Sequence, residues 1–111
     1  MMRLSPLAGL LLFPLLATCA EVATPPRLEE KHRPFFRDYC IECHNEQKPK
    51  GKLRLDDISF TLDSVESADR WQKILNQLNS GEMPPETAKQ PGRAAKADFL
   101  DALARTLVTA R

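Results

Sequence analysis

A small, mostly α-helical domain is what this sequence predicts, and three observations predict it. Trp71, Ile74, Leu75 and Leu78 recur at i, i+3, i+4 and i+7, an apolar stripe on one helical face. Phe99, Leu103 and Leu107 recur every four residues with Leu100 and Ala102 beside them. Phe35, Phe36, Tyr39, Cys40 and Cys43 share one face of a third helix. No βαβ pattern accompanies them, and 111 residues leave room for a single domain of three or so helices.

The chain opens on a leader. Arg3 is a short positive region, the stretch to Ala17 is apolar apart from Ser5 and Gly9, and small residues follow at Thr18 and Ala20. That order is a secretory signal, so residues 1–20 are read as a signal peptide and the protein as periplasmic or otherwise exported. The apolar run is short for a bilayer and carries Pro6 and Pro14, which leaves no membrane span in the mature chain. A secondary reading is a lipoprotein box ending at Cys19, against which Thr18 is a poor fit. Residues 21–28 form a linker, because Pro25-Pro26 bars helix there. The domain proper is residues 29–111.

Within it the first helix runs over about residues 34–43, with proline suited to the first turn. Residues 45–64 are irregular, with a short extended piece at Leu53 and Leu55. The clearest helix covers about residues 66–80, capped by Ser64 or Ser67 and stopped by Gly81 in a left-handed turn. A loop with Pro91-Gly92 leads to a last helix over about residues 94–109, which should pack on the first.

The chemistry concentrates in Cys40-Ile41-Glu42-Cys43-His44, a C-x-x-C-H run. Two thiols one helical turn apart suit addition to the two vinyl groups of a haem, and the adjacent imidazole suits an axial position on its iron. A thioredoxin-type pair or half a zinc site would use the same C-x-x-C. The first wants a βαβ setting, and the second wants another C-x-x-C or an H-x-x-x-H; the chain has neither. Cleavage after Ala20 removes Cys19, and with Cys40 and Cys43 both consumed by the haem no thiol is left for a disulfide.

A second iron ligand is sought farther along. Met83 lies 39 residues after His44, between Gly81 and Pro84-Pro85, and it is the one methionine beyond the leader. A soft thioether on a stiff, non-helical stretch suits the distal position, although methionine also serves as loop or core filler. His32, eight residues before Cys40, is the rival ligand. It would have to loop around the ring to reach the far face. Trp71 is a candidate donor to a haem propionate and equally a core tryptophan. For the ring N–H of His44 an acceptor near Pro49 is expected.

The residues FFRDYCIEC at 35–43, His44, Lys50-Gly51-Lys52-Leu53-Arg54-Leu55-Asp56, Trp71 and Gly81-Glu82-Met83-Pro84-Pro85 together resemble the planctomycete-type cytochrome c domain. The resemblance spans about residues 28–110. It implies a class I-like fold wrapped around one covalent haem c, with Cys40 and Cys43 as attachment points. His44 and Met83 would be the iron ligands. Apart from the resemblance, Trp71 and Arg54 are candidate haem contacts. The family's domain usually sits near the N-terminus of much longer exported proteins, whose downstream activities are not carried over to this chain.

The net charge is +1, and loss of Arg3 with the leader leaves 15 basic and 15 acidic residues, a balance that does not favour nucleic acid. Lys48, Lys50, Lys52 and Arg54 form a local basic run, either a solvated face or a site for propionates or an acidic redox partner. No constellation for substrate chemistry is visible, so the expectation is a monomeric one-electron carrier rather than an enzyme, with unidentified redox proteins as partners. The alternatives are a haem module of a larger exported oxidoreductase or hydrolase, and a small-ligand or peroxide-binding domain with an open sixth position.

Overall fold

The computed structural model describes residues 2–6, 8–17 and 24–110. Thr18, Cys19 and Ala20, on which the leader and lipoprotein readings turn, lie outside the described residues. Residues 8–17 are exposed and carry no regular secondary structure. No helix among the described residues is long and apolar enough to cross a membrane.

Among the described residues three main helical segments and a short 3-10 turn, Lys50–Lys52, make up the domain, and no strand forms. The first, α1, covers residues 30–41 and changes pitch twice. A 3-10 turn, Glu30–His32, leads into an α-turn, Arg33–Phe36, and then a π turn, Arg37–Ile41. Pro34 stands at the start of the α-turn, where its missing N–H costs nothing. Helix α2 is Val65–Ser80 and α3 is Arg93–Thr109, each within one residue of its expected start.

The ends of α2 are built as its sequence dictates. Ser64 Oγ accepts from the Ser67 N–H at 3.0 Å and Ser67 Oγ accepts from the Ser64 N–H at 3.2 Å, a reciprocal capping box. Gly81 closes the other end at φ 80°, where a side chain would be strained.

Burial explains the assembly. Ala68, Trp71, Ile74 and Leu78 of α2 and Phe99, Leu103 and Leu107 of α3 are buried, so the two stripes meet as their spacing requires. Phe36, Phe60 and Trp71 form an aromatic cluster with ring centroids 5.2–5.7 Å apart. Phe35 leaves that cluster and stacks on Phe99 of α3 at 4.5 Å, which joins α1 to the last helix.

The irregular segment supplies Leu55, Ile58, Phe60 and Leu62 to the same core. Pro26 and Leu28 pair with it in antiparallel fashion: the Leu28 N–H donates to the Phe60 carbonyl at 2.9 Å and the Leu62 N–H to the Pro26 carbonyl at 2.8 Å. Leu28, the last residue of the segment read as a linker, is fully buried.

Candidate haem site

One open cleft of about 400 Å³, within the usual span of small-molecule sites, gathers most of the predicted residues. Cys40, Cys43 and His44 line it together with Leu53 and Leu55, with Ile74 and Leu78 of α2, and with Met83, Pro84 and Pro85. The lining is predominantly apolar, and Arg70, Lys73, Lys50 and Lys89 bring positive charge to it.

The cysteines sit where α1 ends. The π turn carries Cys40, and its carbonyl accepts from the N–H groups of Cys43 and His44 at 3.3 and 3.1 Å, bringing the three side chains onto one bend. Turns of this kind recur at functional sites because they widen the helix and redirect side chains. Asn45 seals the bend. Its Nδ2 donates to the carbonyls of Ile41 and Glu42 at 2.8 and 3.1 Å, while its Oδ1 accepts from the N–H groups of Gln47 and Lys48. Carbonyls orphaned at the helix end are thus satisfied and the next turn starts at once.

The two thiols differ. Cys43 is half-buried, whereas Cys40 is buried and its thiol is pushed up to about 12 by loss of hydration. The imidazole of His44 is oriented by the chain itself: its Nδ1 lies 3.2 Å from the Leu53 carbonyl. A carbonyl can only accept, so Nδ1 carries the proton and Nε2 keeps its lone pair for a ligand. The expected acceptor near Pro49 is replaced by Leu53. The Pro49 carbonyl instead takes the Lys52 N–H at 2.8 Å, and the Leu55 N–H reaches the His44 carbonyl at 2.7 Å.

Met83 lines the same cleft as His44. Its N–H donates to the Gln77 carbonyl at 3.2 Å, which folds the residue back onto the end of α2. His32, the rival ligand, does not line the cleft. It is buried in the first turn of α1 and faces α3, edge-on to Phe99 at 5.8 Å, with Nδ1 3.9 Å from Asp98.

Two other candidates stand away from the cleft. Trp71 donates its indole N–H to the Ser59 carbonyl at 2.9 Å and is wholly buried in the aromatic cluster, so it acts as core and has no donor to spare. Arg54 points at Asp56, donating from Nε at 2.6 Å, and lies 3.8 Å from Glu46. The Arg54 guanidinium holds the Asp56 carboxyl below the usual carboxylate range. Of the basic run only Lys50 reaches the cleft.

Sequence reasoning missed Arg70 and Lys73, which sit one turn apart on α2. Arg70 is braced by donating from Nη2 to the Arg54 carbonyl at 3.1 Å, with Asp57 at 3.9 Å. Only their position beside the apolar stripe could have suggested them.

These residues fit a haem. Two thiols, an imidazole bonded through Nδ1 and a methionine line one cleft, the lining is mostly apolar, and cations suited to carboxylates sit at hand. A mostly helical domain with a C-x-x-C-H run on the wall of such a cleft has the character of a haem protein of the cytochrome c kind. The Planctomycete cytochrome C family model matches residues 40–87, from the first cysteine of the run to just past Pro85, and so bears out the resemblance read from the motifs. That match carries haem-based electron transfer as the general activity. No curated protein and no solved structure matches the chain.

Proposed function

We propose that this protein is an exported one-electron carrier: a class I-like cytochrome c in which Cys40 and Cys43 hold one haem covalently and His44 and Met83 are the axial ligands. The observation that carries the reading is the cleft that Cys40, Cys43, His44 and Met83 all line, with the Leu53 carbonyl fixing the His44 tautomer. When bound, the haem supplies the one-electron couple of its iron. The chain's own residues do the rest. Leu53, Leu55, Ile74 and Leu78 keep water from the ring, which holds down the reorganisation that accompanies each change of charge. Arg70 and Lys73 offset the propionates. Thioether ligation by Met83 raises the potential. The leader is removed on export and the mature carrier works as a monomer with redox proteins outside the cytoplasm.

The test has two arms. Acid–acetone extraction of the denatured, haem-loaded protein should leave its colour with the polypeptide; colour in the organic phase refutes covalent attachment. In the oxidised protein Met83→Ala should abolish the far-red sulfur-to-iron band, lower the potential and open the iron to cyanide, whereas His32→Ala should change none of these. The reverse pattern would mean bis-histidine ligation. Ready carbon monoxide binding by the unaltered protein would point to an open sixth position.

A further inference from the structure

Two successive prolines after Met83 create a problem that the structure solves with one side chain. Pro84 and Pro85 have no N–H, so the segment that leaves Met83 can be fastened only through its carbonyls. Upstream, the chain is tied to α2 by the Gly81 N–H on the Leu78 carbonyl, the Glu82 N–H on Ser80 Oγ and the Met83 N–H on the Gln77 carbonyl. Downstream, Gln90 does the fastening. Its Nε2 donates to the Pro85 carbonyl at 2.8 Å and the Pro84 carbonyl at 3.1 Å, with the Ala88 carbonyl at 3.3 Å. Three carbonyl acceptors around one nitrogen fix the orientation of the amide. The Pro85 carbonyl also takes the Ala88 N–H at 2.8 Å, whereas Gln90 is the only donor to the Pro84 carbonyl among the described residues. Lys89, next in sequence, reaches over the Tyr39 ring at 5.6 Å and ties the same loop to α1.

We propose that Gln90 is a positioning residue for the sulfur of Met83, its carboxamide clamping the Pro84 and Pro85 carbonyls so that the thioether is held facing the cleft. The inference rests on Met83 being an iron ligand. Pro84 is buried and lines the cleft directly after Met83, so a shift of its carbonyl is transmitted to the sulfur through one residue of backbone. Gln90 itself is exposed, so replacing it disturbs the clamp without removing a buried side chain.

The experiment uses the haem-loaded, full chain. Gln90→Leu keeps the volume and removes the donor; Gln90→Glu accepts but does not donate at neutral pH. Both should weaken the far-red sulfur-to-iron band and speed cyanide binding to the oxidised iron about tenfold, the scale of a lost hydrogen bond. Both should also lower the pH at which the band disappears. Met83→Ala is run beside them. If Met83→Ala loses the band while both Gln90 variants match the unaltered protein in band, alkaline midpoint and cyanide rate, the clamp is refuted and the ligand assignment stands. A lower melting temperature with those three unchanged makes Gln90 merely structural and also refutes the clamp. If Met83→Ala keeps the band, the ligand assignment falls, and the clamp with it.

Discussion

Replacing Trp71 by phenylalanine separates the two roles that an indole beside a haem site can have. The ring is wholly buried, packed against Phe36 and Phe60 at 5.2 and 5.5 Å, and its N–H is committed to the Ser59 carbonyl at 2.9 Å. Trp71→Phe retains an aromatic ring but loses the donor and the second ring of the indole. An unpaired carbonyl costs about 1–3 kcal/mol, and because Ser59 is exposed and water can reach it, the low end applies. The space left by the smaller ring adds about 1–2 kcal/mol, a fraction of what truncation to alanine costs. The sum, about 2–3 kcal/mol, should lower the melting temperature by about 8–24 °C in a domain of this size. Thermal unfolding of the haem-loaded protein, followed by far-ultraviolet circular dichroism, reads it directly, and the potential should stay put. A loss below about 1 kcal/mol accompanied by a shifted potential would refute the reasoning and return Trp71 to a propionate.

Three further outcomes follow from single interactions. Ser64→Ala opens the capping box of α2 and should cost about 1 kcal/mol in denaturant unfolding; Ser67→Ala added to it should cost less than it does alone, since the two bonds are reciprocal. Gly81→Ala forces a Cβ into φ 80° and should cost about 1 kcal/mol by the same measurement, although nothing crowds the position. Glu30 is hydrogen-bonded by Arg33 and paired with Arg27, which lowers its carboxyl from 4.5 to about 2. Its contribution is therefore complete above pH 4.5 and lost as pH falls through 2, so an acid titration of Glu30→Gln should be flatter than the unaltered protein's across that window.

Periodicity made α2 and α3 legible, because one buried face at helical spacing has no other explanation. The residues that line the cleft from Cys40 to His44, and Met83, stood out in the sequence because their chemistry is rare and their order fixed. Other parts depend on contacts that one position cannot announce. Leu28 is a single apolar residue after two prolines, and only its bond to Phe60 makes it core. Arg54 and Arg70 look alike on the page; Asp56 claims the first, and the turn of α2 brings the second to the cleft. His32 stands among charged residues, yet Phe99 from the far end of the chain covers it. Ile58, Phe60 and Leu62 did alternate in the sequence, and the loop buries them as that alternation allows.

The burial of Cys40 bears on how readily its thiol can react. Addition of a cysteine to a vinyl group proceeds through thiolate, and a thiol raised to about 12 holds only a trace of it at neutral pH. In the folded chain Cys40 is the more deeply set of the two thiols, while Cys43, three residues on, is within reach of solvent. For the covalent haem proposed above, the two attachment points would therefore differ in how readily they react once the chain has folded, the buried one being the slower.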